Sequence, residues 1–335
     1  MRQRGHTVSM VVVQGGKLAE RARKEGFEVL EVPFKRWRAL GTIRQIRRWI
    51  KEKKVDVVNT HSSLDAWLGG IAARWAGKKV VRTRHLSTPI RGGWNARLLY
   101  NALADFVVTT SSGIIPTIQE KAHLPAERIA CIPTGVEPFT VQPDEATAFR
   151  QKLGVREDEV LVGTVCVVRS WKGIQDLIGA AKLLQGDKRL KWVVVGGGYI
   201  EHFQPLVPED LPFIFTGHLE NPMPAVAALD IFALLSTAHE GISQASLQAA
   251  FLKKPLVVTN IGGLPEVCLD SQTGFVVQPH APEEVAAAVM RLVENGQLRE
   301  KMGEAGHRLV LEKFTQRHML DQMARVFEGV YALNP

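Results

Sequence analysis

The 335-residue sequence predicts two Rossmann-like α/β domains in tandem, each a doubly wound parallel sheet. Strand-like apolar runs alternate with helix-length amphipathic segments along the chain; the alternation breaks once, at 138–158; and the length suits about two domains with separate cores. Strands joined by helical crossovers pair in parallel, need cover on both faces, and take ligands outside their carboxyl ends. The expected architecture is therefore two doubly wound parallel sheets facing across a cleft.

The first strand, 8–13, follows Met1-Arg-Gln-Arg-Gly5-His6 and stops at Gln14-Gly15-Gly16. Helix 17–25, strand 27–32, helix 41–53, strand 55–60, helix 64–76 and strand 79–84 continue it, with strands at 106–109 and 129–132. A first domain over 1–137 is expected, then a linker over 138–158 that carries prolines, many charges and a short helix. Strand 160–168, apolar on both faces, opens a second domain over 159–313, followed by helix 174–184, strands 191–195 and 213–216, helix 223–228, strand 231–235, helix 243–252, strands 255–259 and 274–277 and helix 282–294. In the closing segment, 314–335, Met319, Met323, Val326, Phe327 and Val330 recur at helical spacing, so these residues read as packing.

At 45% hydrophobic and 23% charged residues, with no apolar run near the roughly 20 residues of a membrane-spanning helix, the composition excludes a disordered chain and a membrane bundle. Cys131, Cys166 and Cys268 lie far apart, which suggests neither a zinc cage nor a disulfide framework and fits a reducing compartment. No targeting peptide is seen ahead of the first strand, so a cytoplasmic location is expected. The net charge of +8 is uneven: residues 1–150 carry 25 Lys and Arg against 13 Asp and Glu, the remainder 17 against 21. The first half therefore calls for an anionic partner: nucleic acid, a membrane surface or a phosphorylated substrate. Zinc-finger, RNP-like and helix-turn-helix patterns are all missing, so nucleic acid is not expected. Lys35-Arg36-Trp37-Arg38 followed by Ile43, Ile46, Trp49 and Ile50 among Arg44, Arg47, Arg48 and Lys51 describes either a cationic interfacial helix or an ordinary crossover helix.

Strand-to-helix loops offer unpaired backbone N–H groups and the positive end of a helix dipole, which is where phosphates settle. Three such loops of the second domain are chemically loaded. Arg169-Ser-Trp-Lys172-Gly173 places two cations three residues apart after a buried strand; Gly196-Gly197-Gly198 allows close backbone approach or a plain turn. In His239-Glu240-Gly241-Ile242-Ser243-Gln244 a carboxylate precedes a helix whose first N–H groups can face an anion, or serves that helix as a cap. Gly262-Gly263-Leu264-Pro265-Glu266 ends the next strand. Neither a Walker A nor an Asp-x-Asp pattern occurs, so no metal or other cofactor is implied.

These motifs, in this order and with Thr273-Gly274-Phe275 after them, resemble the second half of a family 4 retaining glycosyltransferase of GT-B fold. The likeness extends through Arg4-Gly5-His6-Thr7-Val8, Asp56-Val-Val-Asn-Thr60-His61 and Ile132-Pro133-Thr134-Gly135-Val136, and covers essentially the whole chain. It implies that the second domain binds a nucleotide-diphosphate sugar while the first presents a saccharide or lipid-linked acceptor. Arg169 and Lys172 would hold the diphosphate. Glu240, Gly241, Ile242, Ser243 and Gln244 would grip the donor sugar and phosphates, with Gly197 alongside and Gln248 as a further binder. His85, and more weakly His61, would stand on the acceptor side, with His85 by the reacting centre. The resemblance further implies a terminal helix returning to the first domain, and a setting in bacterial envelope polysaccharide or lipopolysaccharide synthesis, peripheral to the inner face of the membrane.

The sequence departs from the family in Gln248, where a second acid is usual, in the short 169–172 segment and in Thr134. In the family a strand and a glycine-rich loop precede the Arg-Gly-His turn, so the first sheet is expected to lack a strand and expose an edge. An impaired donor-binding remnant and a nucleotide-sugar epimerase on the same architecture are the alternative readings.

Overall fold

The computed structural model describes residues 1–85 and 90–332. The chain divides into two compact units: one holds 1–85, 90–132 and the chain from Met319 onward, the other Pro133–His318.

The first unit contains β1 (Ser9–Val13), α1 (Lys17–Lys24), β2 (Glu28–Val32), α2 (Ala39–Glu52), β3 (Val57–Thr60), α3 (Ser63–Trp75), β4 (Lys79–Arg84), α4 (Trp94–Arg97), β5 (Phe106–Thr109), α5 (Ile115–Ala122) and β6 (Ile129–Cys131). Its strands are parallel, in two separate ladders: β1 with β2, and β3-β4-β5-β6. Among the described residues β1 and β3 each have one strand neighbour, and most of their side chains are only half-buried. Ile43, Ile46 and Ile50 of α2 pack with Leu68, Ala72 and Ala73 of α3 and with Val80. That burial identifies α2 as a crossover helix and removes the isoleucine stripe from any lipid surface.

The second unit contains α6 (Pro143–Lys152), β7 (Val160–Val165), α7 (Ile174–Leu183), β8 (Leu190–Val195), α8 (Ile200–Phe203), β9 (Phe213–Gly217), α9 (Met223–Ala228), β10 (Ile231–Leu234), α10 (Gln244–Phe251), β11 (Leu256–Thr259), α11 (Leu264–Val267), β12 (Gly274–Val277), α12 (Pro282–Glu294) and α13 (Gly296–Lys313). Its sheet is a single parallel ladder in the order β12-β11-β10-β7-β8-β9. The order reverses beside β7, as a doubly wound fold requires, so the β7 and β10 loops leave toward opposite faces at the position where such folds bind nucleotides. Strands β7, β10 and β11 are buried throughout, each covered by helices on both faces.

Two expected boundaries are corrected. Segment 138–158 is no bare linker: α6 is built into the second unit, where Arg150 binds Asp230 at 2.7 Å and the carbonyls of Ala228 and Glu159 at 2.9 and 2.8 Å. Pro133–Val136, expected in the first domain, belongs to the second, because Val136 exchanges backbone hydrogen bonds with Phe314 and Gln316. The closing helix, α14 (Gln316–Ala332), belongs from Met319 to the first unit. There Met319, Met323, Val326, Phe327 and Val330 cover Val81, Val108 and Ile132; the last three residues of the closing segment, 333–335, lie outside the described residues.

Candidate active site

At the carboxyl edge of the second sheet the loops after β7, β8, β10 and β11 lock together, chiefly through backbone. Strand β7 stops at Val165, three residues short of expectation, yet Cys166 N donates to Val195 O at 3.0 Å and Val168 N to Gly197 O at 2.9 Å. A Cβ on Gly196 or Gly198 would stand 1.9 Å from Cys166 O or 2.3 Å from Val168 O, and both residues have positive φ, 132° and 131°. These two glycines therefore serve loop-to-loop packing. Gly197 lies between them, with normal φ, against His218.

Arg169 lies half-buried with its guanidinium 4.9 Å from the Tyr199 ring, a cation–π arrangement that fixes the charge at the end of β8. Lys172 Nζ pairs with Glu240 Oε1, and Ser236 Oγ donates to the same carboxylate oxygen at 2.7 Å. Glu240 is only 6% exposed. A buried carboxylate is tolerated when matched by charge and hydrogen bonds, and here it has both. Lys172 cannot drift, because Trp171 O accepts from Thr237 N at 2.8 Å and Gly173, at φ 67°, leaves no room for a Cβ beside Leu235 O.

His239 adopts φ 60° just before Glu240, a left-handed backbone that turns the loop inward, and its ring meets the edge of Trp171 at 5.9 Å. Gly241 and Ile242 follow, buried; a Cβ on Gly263 would lie 2.9 Å from the Gly241 backbone, so the β11 loop is pressed against this turn. Ser243 caps α10, its Oγ accepting from Ser246 N at 3.3 Å. Gln244, on the first turn, binds Thr134 Oγ1 at 3.2 Å and its Nε2 donates to Gly135 O at 3.5 Å, while Gln248 sits one turn further, half-buried. Lys172, Glu240 and the positive end of α10 are thus brought to one edge, with Arg169 beside Tyr199 on the neighbouring loop.

Sequence reasoning gave no role to Ser236 or Tyr199. The available signals were a hydroxyl at the end of β10 and an aromatic directly after the glycine triplet.

In the first unit, His61 and His85 follow paired strands: Thr60 and Arg82 are partners across β3 and β4, so the loops beyond them are neighbours. The imidazoles stack at 5.2 Å, and His61 Nδ1 lies 2.9 Å from His85 Nε2. One nitrogen donates and the other accepts, which requires at least one neutral ring. Surrounding protein disfavours charge on both, holding each below its ordinary value; for His61 the neighbouring His85 lowers it further, and Asp65 opposes the shift on both. Asp65 completes a capping box on α3, its oxygens accepting from His61 N at 2.9 Å and Ser62 N at 2.6 Å.

Comparison with known proteins fits this geometry. Residues 1–138 match the family Glycosyltransferase Family 4, and residues 145–309 match Glycosyl transferases group 1. The chain is 25% identical over 314 residues to the putative glycosyltransferase EpsD of Bacillus subtilis, covering 87% of this chain and 81% of that one. It is 22% identical over 321 residues to the capsular polysaccharide biosynthesis glycosyltransferase CapM of Staphylococcus aureus, covering 88% and 83%. A glycosyltransferase structure from Rickettsia africae superposes with TM-score 0.87 at 23% identity, covering 98% of this chain and 91% of that one. Anabaena HepE in complex with UDP superposes with TM-score 0.85 at 20% identity, covering 95% and 91%. The fold is that of the GT-B glycosyltransferases. Within that class, the chain belongs to the family 4-like glycosyltransferases.

Proposed function

We propose that this glycosyltransferase moves a sugar from a nucleotide-diphosphate sugar to a saccharide or lipid-linked acceptor, with retention of anomeric configuration and without a metal. The supporting observation is the Lys172–Glu240 pair held at the α10 N-terminus on the carboxyl edge of the second sheet. Departure of a nucleoside diphosphate leaves growing positive charge on the anomeric carbon and negative charge on the phosphates. Lys172, Arg169 and the first N–H groups of α10 are fixed positive partners for those phosphates, and Glu240 is an acceptor for sugar hydroxyls. The HepE structure is a complex with UDP, which supports a nucleotide donor, and CapM is named for capsular polysaccharide synthesis, which supports an envelope saccharide product.

The test is incubation with UDP-, GDP- and ADP-sugars in the presence of EDTA, following nucleotide release and the anomeric proton of the product. Acceptor-dependent release with the donor's anomeric configuration kept is expected. Sugar-nucleotide conversion without acceptor would replace transfer by epimerisation, and binding without turnover would leave a donor-binding remnant.

The same reading places the first unit at the inner face of a membrane. With the α2 isoleucines buried, Trp37 and Leu40 remain, 72% and 61% exposed, around a cavity of about 340 Å³ that also includes Arg38. Exposed Arg44 and Arg48 stand on the following helix. Aromatic and apolar groups ringed by cations suit an anionic interface. Flotation with anionic but not zwitterionic vesicles, lost in high salt, is the expected result.

A further inference from the structure

We propose that the first unit contains its own oxyanion site, in which Arg82 and Arg84 at the carboxyl end of β4 receive a phosphate group. Residues two apart on a strand share a face, so both guanidinium groups lie on one side of the sheet, and Tyr100 holds them together. The Arg82 guanidinium lies 4.4 Å from the Tyr100 ring, and Arg84 Nη1 donates to the Tyr100 hydroxyl at 2.8 Å.

Arg82 is 5% exposed, yet its Nε and Nη1 have no hydrogen-bond partner among the described residues. The ring contact occupies the face of the guanidinium and leaves those edge N–H groups unmatched. Thr60, its partner across the ladder, has a hydroxyl in the same condition. Buried guanidinium groups are normally matched by acceptors, because unmatched N–H groups are costly. The carboxylate whose charge reaches Arg82 is that of Asp65, and both its oxygens are engaged by backbone N–H groups of the α3 cap. Arg82 therefore feels only a carboxylate already committed elsewhere, with the capped end of α3 and the His61–His85 pair alongside. A tetrahedral oxyanion supplies what is lacking: paired acceptors for a guanidinium edge and a further oxygen for a hydroxyl.

On the transferase reading, from which this assignment to the acceptor follows, the phosphate bound here belongs to the acceptor. The oxyanion site itself does not depend on that reading.

The experiment uses the full chain carrying Arg169→Ala and Lys172→Ala, which removes the two cations proposed to hold phosphate in the second unit. Inorganic phosphate is titrated while the imidazole resonances of His61 and His85 are followed by NMR. Saturable shifts are expected, with glucose inert and sulfate competing. Arg82→Gln should weaken phosphate at least about tenfold. Arg84→Gln, at a half-buried position, should also weaken it and serves if the Arg82 variant fails to fold. Absence of saturable shifts, or equal affinity in the folded variants, overturns the site and leaves Arg82 as packing. Phosphate binding without transfer to phosphorylated acceptors by the unmutated protein overturns only the acceptor role; transfer of sugar without phosphate binding overturns the site and leaves the transferase reading standing.

Discussion

Lys172 and Glu240 neutralise each other on one sheet edge, so removing either leaves a charge without its ion-pair partner. Lys172→Ala is expected to lower kcat/KM by about 3–4 kcal/mol, the usual loss for one preorganised charge-stabilising donor, and to weaken the donor nucleotide as well. Steady-state nucleotide release checks this, and unchanged turnover would take Lys172 out of the site. In the first unit the histidines predict a pH effect. Their folded values lie below the ordinary imidazole value, so their stabilising contribution is complete above about pH 6.5 and falls away as acidification proceeds through the folded values. Melting of the first unit should therefore drop on acidification, and less so in His85→Gln. The sequence showed the charged members of the candidate site, since Arg169, Lys172 and Glu240 stand out at strand ends. Ser236 did not stand out, because a serine at a strand end has no local signature until the fold brings Glu240 over it.

Among elements, the α7 entrance carries the clearest mechanical requirement. Gly173 stands at φ 67° with Leu235 O where a Cβ would be, 1.8 Å away, so Gly173→Ala must push the β7 loop off the β10 loop. We expect a loss of roughly 2–4 kcal/mol, from strain and the clash together, with donor binding impaired beyond what the stability change explains. Ser243→Ala should cost about 1 kcal/mol through the lost α10 cap. Denaturant titration separates the two. Strands 79–84, 106–109 and 274–277 and helices 223–228 and 282–294 were legible to the residue, because short β-branched runs and amphipathic stretches bounded by turn residues are local signals. Helix α13 was not. Its Gly303 is there so that the helix can pass the Lys253 carbonyl, where a Cβ would lie 2.0 Å away. A glycine chosen for packing reads, in sequence, like a break. The 138–158 segment misled for a related reason: its charges include Arg150, whose partners come from the end of α9, the turn before β10 and the turn before β7, remote in sequence or hidden in a loop.

For the whole molecule, the two units have different stabilities to offer. The second has strands with side chains buried along their full length, whereas β1, β2 and β3 are half-buried. Amide exchange should accordingly be faster in β1–β3 than in β7, β10 and β11. A nucleotide that binds the second unit stabilises it by about 2.7 kcal/mol at a hundred times its dissociation constant. UDP should therefore raise the melting of the second unit and leave exchange in β1–β3 unchanged; protection appearing first in β1–β3 would assign the nucleotide to the wrong unit. The positive excess lies in the half that holds Arg82, Arg84 and Trp37, so any attraction of a nucleotide to the second unit rests on local cations and not on that unit's net charge.

The interruption between β1 and β3 bears on how the protein behaves at high concentration. Among the described residues the side of each strand away from its one strand neighbour carries a row of amide and carbonyl groups without a strand partner, and Val11, Val12, Val57 and Val58 supply the β-branched character that favours extended growth. Such rows are templates. In a crowded solution the most abundant complementary surface belongs to another copy of the same chain, and docking there would propagate from molecule to molecule without closing. Handling at low concentration, or with a short extended peptide designed to lie along Val57–Thr60, should keep the preparation dispersed while leaving the second unit's chemistry untouched.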